Sequence, residues 1–227
     1  PRSTPSNSSA ASDVYKRQPF RKRSWALSEQ KLLIATTNQG KVAELRKLLE
    51  GLPVRVLSPA DLPGAVPDCI ERGGSFCENA EIKARHWFDH TGLASLADDS
   101  GLAVEALDGA PGIYSARFAG NGATDRDNLE LLLERLQGME RSKRGASFVC
   151  CLVLCRTSGS LVTFQGRCDG VILKHPRGRG GFGYDPVFYY PPLGKTFAQL
   201  DPEEKNRVSH RGQALRNFRE WLARNEL

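Results

Sequence analysis

The positions of apolar residues along the chain predict strands and helices in alternation, followed by a run of strands. Residues 31–36 form a short apolar stretch typical of a strand, and residues 41–50 carry valine and leucines at helical spacing. The same patterns predict strands over 54–57, 93–97, 102–107, 148–155, 161–164 and 170–173, and helices over 75–90, 124–137 and from Asp201 onward. This order favours a mixed α/β sheet over a purely doubly wound one.

Two adjacent carboxylates, Asp98 and Asp99, lie between an apolar stretch and Gly101. We expect Gly101 to allow a sharp turn, because glycine adopts backbone conformations that other residues avoid. Adjacent side chains on an extended backbone point to opposite faces, so the two carboxylates need not do the same job. One can ligate a hard cation such as Mg²⁺, and the other can orient or deprotonate a water, with Ser100 adding a hydroxyl. The alternative is a turn whose side chains cap the local backbone.

A polar turn over residues 37–40 joins the first predicted strand to the first predicted helix. The first N–H groups of a helix lack partners within it and the helix dipole favours anions, so this arrangement can cradle a phosphate. Lys41 adds a positive charge. The segment does not have the G-x-x-x-x-G-K spacing of a Walker A loop, so a P-loop is not indicated.

A glycine-rich segment, residues 178–183, matches the dinucleotide-binding spacing G-x-G-x-x-G. That fingerprint must open a helix, whereas here an aromatic and extended run follows over residues 184–190, so we reject a Rossmann site. Phe182 and Tyr184 on a flexible loop suit stacking on a flat base, with Asp185 available for a hydrogen bond. The alternative is a hairpin whose aromatic side chains fill the core.

Two predicted helices carry further polar candidates. Asn79 and Lys83 are four residues apart and share one helix face, as do His86 and His90. The histidine pair lacks the glutamate of the zinc motif H-E-x-x-H, which favours an ordinary helix surface. The last helical stretch carries three polar candidates before an apolar stripe: Lys205, His210 and Arg211. The alternative to a functional role is a solvated surface charge for Lys205 and Arg211, and a packed side chain for His210.

Composition and charge argue against two classes of partner, nucleic acids and membranes. Of the 227 residues, 40% are hydrophobic and 26% charged, as in a globular protein, and no apolar run approaches the length of a membrane span. The net charge is +6, but residues 1–30 alone hold six basic and two acidic groups, so most of the excess lies there. We therefore predict neither a nucleic-acid partner nor a membrane partner.

The six cysteines include no C-x-x-C pair, which argues against a zinc ribbon. Cys150, Cys151 and Cys155 lie in an apolar stretch, where we expect buried free thiols. No secretory signal peptide is recognisable in the sequence, so we expect a reducing, cytoplasmic environment.

Residues 1–30 differ in composition from the rest of the chain. Ser, Pro and Asn dominate the start and a basic cluster follows, so we interpret this stretch as a disordered or non-native tail. Residues 13–18 resemble a translated sequencing adapter, and we hypothesise that at least the first 18 residues are not native. Residues 31–227 are then the folded domain.

Short motifs in these segments together resemble one family, the inosine/xanthosine triphosphate pyrophosphatases, which act on deaminated purine nucleotides. The matching stretches occur in family order, at 36–41, 71–84, 97–102, 109–120, 181–186 and 204–211. The resemblance implies a two-lobed, mixed α/β fold with the active site in the cleft between the lobes, and usually a homodimer. It also implies Mg²⁺-dependent cleavage between the α- and β-phosphates, giving a nucleoside monophosphate and pyrophosphate.

The family's functional residues carry over to the matching positions of this sequence. The resemblance implies that Glu71 and Asp99 bind Mg²⁺, and that Asp99 is the proton acceptor, with Asp98 close enough to share this role. Phe182 would stack on the purine. The triphosphate would be held by Thr36, Thr37, Asn38, Gln39, Gly40, Lys41 and Lys83. The base and its 6-oxo edge would be surrounded by Asp185, Lys205, His210 and Arg211, and the substrate-binding set is completed by Ser100, Gly183 and Tyr184.

Two other interpretations remain open. A related pyrophosphatase of the septum-inhibitor type would share the fold class but cleave pyrimidine triphosphates, and the motifs at 97–102 and 209–211 argue against it. A non-catalytic nucleotide-binding module would bind inosine triphosphate without releasing pyrophosphate, and the intact Glu71, Asp98 and Asp99 argue against that.

Overall fold

The computed structural model describes residues 30–64 and 68–227, and its strands form one mixed sheet. The strands are β1 Gln30–Ile34, β2 Val54–Leu57, β3 Ala94–Val104, β4 Gly145–Cys155, β5 Leu161–Ile172, β6 Phe188–Tyr190 and β7 Lys195–Thr196. Their order across the sheet is β2-β1-β3-β4-β5-β6-β7. β1 pairs in parallel with β2 and β3, and the pairs from β3–β4 to β6–β7 are antiparallel. The predicted mixed α/β sheet is confirmed, and the predicted tail lies outside the described residues except for Gln30.

Helices pack on both faces of this sheet. They are α1 Gln39–Leu49, α2 Phe76–Thr91, α3 Asp125–Arg135, α4 Pro202–Val208 and α5 His210–Leu222. α1 and α5 bury their apolar sides, including Leu45 and Phe218, against one face of the central strands. α2 buries Ala84 and Trp87 against the opposite face. A third cluster of buried residues, which includes Leu132 and Phe188, joins α3 to the far end of the sheet.

No helix in the described part of the chain is both long and apolar enough to cross a membrane.

The two adjacent aspartates lie inside a continuous strand. β3 runs unbroken from Ala94 to Val104, and Asp99 pairs in register with Cys151 on β4. The predicted sharp turn at Gly101 is therefore wrong, because pairing with β4 overrides the low strand propensity of Asp and Gly. Gly101 instead permits a close approach, since a Cβ there would overlap Ser115 and lie 2.6 Å from the Gly112 carbonyl oxygen.

Two further boundaries differ from the sequence prediction. β5 is one strand that joins the predicted strands over 161–164 and 170–173. The last helical stretch is divided at Ser209, which has an extended backbone and caps α5 by accepting a hydrogen bond from the N–H of Gly212. Gly212 lets the two helices meet closely, because a Cβ there would overlap the Asn206 carbonyl oxygen. This break turns the start of α5 toward the centre of the molecule.

A disulfide joins Cys77 on α2 to Cys151 on β4. The expectation of a free thiol is therefore wrong for Cys151, whereas Cys150 and Cys155 are free and buried as predicted. The two bonded cysteines are 74 residues apart in sequence, so no local spacing indicates the pairing.

Candidate active site

A cleft of about 430 Å³ lies where β3, α2, the glycine-rich loop and the α4–α5 junction meet. It collects most of the predicted site residues: Thr36, Thr37, Asn38, Lys41, Glu71, Lys83, Asp99, Ser100, Phe182, Gly183, Tyr184, Asp185, Lys205, His210 and Arg211. Three other predicted residues are not part of the lining: Gln39, Gly40 and Asp98. The lining also includes residues that were not among the predicted site residues, such as Ile113, Arg117, Asp125 and Asn128.

Asp98 points from β3 toward α1 and α5, where cations surround it. Its Oδ2 atom lies 3.1 Å from both Arg211 Nη2 and Lys41 Nζ. Ser100 Oγ donates to the same oxygen at 3.3 Å. Burial by itself would raise the pKa of this carboxyl, but the charges of Arg211 and Lys41 outweigh burial and hold the pKa well below its usual range. Asp98 is therefore a fixed, fully ionised partner of two cations.

Asp99 points to the opposite face of β3, toward α2, as predicted from strand alternation. Its Oδ1 atom accepts from Lys83 Nζ at 2.9 Å, and the same ammonium lies 3.2 Å from Glu71 Oε2. Its Oδ2 atom is buried and has no hydrogen-bond partner. Burial raises the pKa of Asp99 even though Lys83 and Lys41 oppose that rise. Of the two aspartates, Asp99 is thus the one with an uncommitted oxygen at the cleft.

The chemistry of these acidic groups suits Mg²⁺. The free oxygen of Asp99 and the carboxylate of Glu71 share Lys83 as a neighbour, and oxygen ligands are those that Mg²⁺ prefers. Within residues 30–64 and 68–227, no group of three or more His, Cys, Asp or Glu could hold a metal ion. A site with two carboxylates fits an ion that keeps several waters and takes further ligands from substrate phosphates.

The polar turn that was predicted to cradle a phosphate contributes Thr37, Asn38 and Lys41 to the lining of the cleft. α1 begins at Gln39, and its N-cap Asn38 accepts a hydrogen bond from the N–H of Lys41 at 3.0 Å. The first turn of α1 contains no acidic residue, so its positive dipole end is not neutralised locally. Together with Lys41 Nζ beside the cleft, this turn can bind a polyanion.

Two aromatic side chains at the end of the glycine-rich segment have different surroundings. The Phe182 ring faces the cleft, with Lys205 Nζ 4.9 Å from its centroid. Tyr184 is 4% exposed, and its hydroxyl donates to the Ser115 carbonyl oxygen at 2.8 Å. The core-filling alternative therefore describes Tyr184, whereas the ring of Phe182 lines the cleft.

Asp185 is less available than predicted. Its Oδ2 atom accepts from Lys205 Nζ at 2.6 Å and from the N–H of Phe182 at 2.9 Å. Burial raises the pKa of this carboxyl, opposed by Lys205. Asp185 thus anchors Lys205 and the backbone of Phe182, and both residues line the cleft.

His210 and Arg211 begin α5 and are both buried, so the surface alternative for Arg211 is wrong. The imidazole of His210 stacks on Phe148 with ring centroids 4.8 Å apart, and its Nδ1 atom is buried without a hydrogen-bond partner. Burial and the neighbouring charge of Arg211 lower the pKa of His210 well below its usual value. The ring is therefore neutral at pH 7, with an uncommitted nitrogen.

Arg211 is the centre of a buried network that the sequence analysis missed in part. Its guanidinium is 2% exposed and donates to Asp98, to Ser100 Oγ at 2.8 Å and to Glu44 on α1. Most of its N–H groups are thus already engaged by protein acceptors. Glu44 lies three residues after Lys41 on the same helix face, which is the one local signal that could have drawn attention to it.

Comparisons with known proteins identify related chains and a related fold. Residues 32–221 match the model of the Ham1 family. The chain is 50% identical over 184 residues to a dITP/XTP pyrophosphatase of Desulfotalea psychrophila, which covers 81% of each chain. It is 53% identical to one of Yersinia pseudotuberculosis, which covers 82% of this chain and 95% of the relative. A solved structure of a HAM1 protein from Coxiella burnetii is 43% identical and superimposes with a TM-score of 0.78, over 86% of this chain and all of the other.

Proposed function

Because this chain belongs to the Ham1 family, we propose that it hydrolyses deaminated purine nucleoside triphosphates (ITP, dITP and XTP) to the monophosphate and pyrophosphate. The relatives named dITP/XTP pyrophosphatase, at about half identity over four fifths of the chain, support this reaction and substrate class. The observation that carries the proposal is the uncommitted oxygen of Asp99, in a cleft that is also lined by Lys41 from α1 and by the aromatic ring of Phe182. Such an activity removes damaged nucleotides from the precursor pool.

We assign the triphosphate to the end of the cleft that holds Lys41 and Lys83. A triphosphate carries about four negative charges, so its cleavage requires cations that neutralise charge on the attacked and departing groups. Lys41 and the first turn of α1 offer a positive surface for the departing pyrophosphate. Mg²⁺ bound by Glu71 and Asp99 would supply further charge neutralisation and make a bound water more acidic.

In this proposal Asp99 accepts the proton of the water that attacks the α-phosphorus. Asp98 is a poor candidate, because Arg211 and Lys41 hold its carboxylate and keep the pKa low. Asp99 has a buried oxygen without a hydrogen-bond partner, which is available to accept a proton from a water in the cleft. Lys83 at 2.9 Å keeps the Asp99 carboxylate ionised and oriented.

Base selection would involve Phe182 and the start of α5. Phe182 would stack on the purine, and donors from Lys205, His210 or the remaining N–H of Arg211 would meet the 6-oxo group. The 6-amino group of adenine would face these donors with its own hydrogens, so buried groups would lose their partners. A site of this kind can discriminate by about 10⁴-fold or more.

We further propose that the enzyme is a cytoplasmic homodimer, as the family resemblance implies. Ile70 and Tyr114 are 65% and 56% exposed and adjoin cleft-lining residues, which makes them candidate subunit contacts. Light scattering after size exclusion should give twice the mass of one chain. A single-chain mass at all protein concentrations would contradict the dimer.

Pyrophosphate release by the purified protein across a nucleotide panel tests the proposed function. With MgCl₂ present, ITP, dITP and XTP should each give monophosphate and pyrophosphate, and ATP should react with kcat/KM lower by a factor of about 10² or more. Release of orthophosphate, equal rates with ATP, or binding of ITP without turnover would contradict the proposal. Repeating the assay with EDTA in place of MgCl₂ should abolish release.

A further inference from the structure

The first turn of α3 contacts both loops that form the base end of the cleft. Asn128 is buried there, accepts from the N–H of Ala119 at 2.8 Å and donates to the Ala116 carbonyl oxygen at 3.2 Å. It thereby ties down the short helical segment Gly112–Arg117, which contributes one cleft wall. From the same turn, Asp125 reaches the glycine-rich loop on the other wall.

The contact between Asp125 and the glycine-rich loop is a single, well-formed hydrogen bond. The N–H of Gly183 donates to Asp125 Oδ2 at 2.8 Å, across 58 residues of sequence. Gly183 has a φ of +59°, a conformation that glycine adopts without strain. The preceding N–H, that of Phe182, donates to Asp185 on the other side. Phe182 is thus held between two amide groups, each bound by a different carboxylate.

We infer that Asp125 is a positioning residue for the base: through Gly183 it holds the Phe182 ring at the orientation in which a purine stacks. Phe182 stands on a segment with glycines at positions 178, 180, 181 and 183, which alone would allow the ring many orientations. Fixing the ring in advance lowers the ordering cost of binding, so it strengthens binding of the base. This inference rests on the proposed function, because it takes Phe182 as the stacking surface.

The helix that carries Asp125 is stabilised independently of this contact. Thr124 caps α3 and exchanges hydrogen bonds with Asp127, a capping box in the same turn. Loss of Asp127 should weaken the helix without touching the glycine-rich loop, whereas loss of Asp125 should release the loop with the capping box intact. Asp127→Ala is therefore the matched control for Asp125→Ala.

Steady-state kinetics with ITP and calorimetric binding of inosine monophosphate test the inference in the full-length protein. In Asp125→Ala, KM for ITP and Kd for the monophosphate should each rise about fivefold, the loss expected for one charge-assisted hydrogen bond at an exposed site. The value of kcat should change less than about twofold, because the contact orients the base and not the attacking water. Asp125→Asn, which retains an acceptor oxygen for the N–H of Gly183, should restore most of the affinity.

The outcomes separate this inference from the proposed function. A wild-type protein that does not release pyrophosphate from ITP refutes the proposed function. An active wild type with unchanged KM and Kd in Asp125→Ala refutes the inference alone. Lower KM in both Asp125 variants would mean that the carboxylate merely repels the triphosphate. If KM and Kd rise as much in Asp127→Ala as in Asp125→Ala, helix stability is the cause. This result and the lower KM in both Asp125 variants would each overturn the positioning role.

Discussion

Replacing Arg211 by alanine should destabilise the protein much more than removing an exposed arginine from the same helix. Arg211 is 2% exposed and donates to Asp98, Ser100 and Glu44, so the substitution leaves two carboxylates near the core without their main counter-charge. Asp98 retains one cation, Lys41 at 3.1 Å.

The expected loss of unfolding free energy follows from the burial of the Arg211 ion pairs. Removing one partner of a buried ion pair typically costs about 3–5 kcal/mol, and the remaining contact with Lys41 places this case near 3 kcal/mol. For a domain of this size, that loss corresponds to a melting temperature lower by about 6–12 °C. An exposed ion pair or hydrogen bond would contribute less than about 1 kcal/mol.

The difference in unfolding free energy between wild type and Arg211→Ala should also depend on pH. Because the pKa of Asp98 is lowered in the folded protein, its contribution is fully present above the pKa of the unfolded chain and is lost as the pH falls through the folded pKa. Without Arg211, the largest of the charges that lower the pKa of Asp98 is lost, so that contribution becomes smaller. The gap in unfolding free energy between wild type and Arg211→Ala should therefore be largest near pH 7 and narrow below about pH 4.

Urea unfolding followed by circular dichroism measures this difference, with Arg216→Ala as the control. Arg216 is an exposed residue of α5 whose Nη1 atom donates to the Asn206 carbonyl oxygen at 3.2 Å. Its replacement should cost less than about 1 kcal/mol. If the two variants unfold within about 1 kcal/mol of each other, or if the gap is independent of pH, the account of a buried charge network around Arg211 is wrong.

Three further predictions concern the proton acceptor Asp99, the disulfide and the N-terminal tail. Asp99→Asn should lower kcat for ITP by about 10²-fold or more with an unchanged circular dichroism spectrum, and near-normal pyrophosphate release at saturating Mg²⁺ would contradict its role. Cys77→Ser should lower the melting temperature in non-reducing buffer, because a crosslink across 74 residues is worth roughly 4 kcal/mol in the chain-entropy model. Cys69→Ser, at a free cysteine, is its control, and equal melting temperatures in the two variants would argue against the bond. Deleting residues 1–29 should leave activity and melting temperature unchanged, since the sequence there has no periodic apolar face; a drop of several degrees would contradict this.

Elements with a strong local signal could be predicted from the sequence. Helix α2, expected over 75–90, runs from Phe76 to Thr91, because its apolar spacing is regular and Ser75 supplies the cap. Strand β2 has the predicted bounds. The opposite orientations of Asp98 and Asp99 followed from strand alternation alone, and the motifs that carry the family resemblance meet in one cleft.

Features that depend on distant partners could not be predicted. Whether residues 98–101 turn or continue as a strand is decided by pairing with β4, which lies some fifty residues later. The Cys77–Cys151 bond and the contact between Glu44 and Arg211 join residues 74 and 167 positions apart, and no local pattern indicates either pairing. Asp125 begins a helix in an ordinary way, and only the folded structure brings it to Gly183.

Hydrolysis of ITP in H₂¹⁸O tests most directly whether water attacks the α-phosphorus at Asp99. The account predicts one ¹⁸O atom in inosine monophosphate, unlabelled pyrophosphate, and almost no labelled product from Asp99→Asn. Label in the pyrophosphate, or in orthophosphate, would show that water attacks a different phosphorus and would contradict the account.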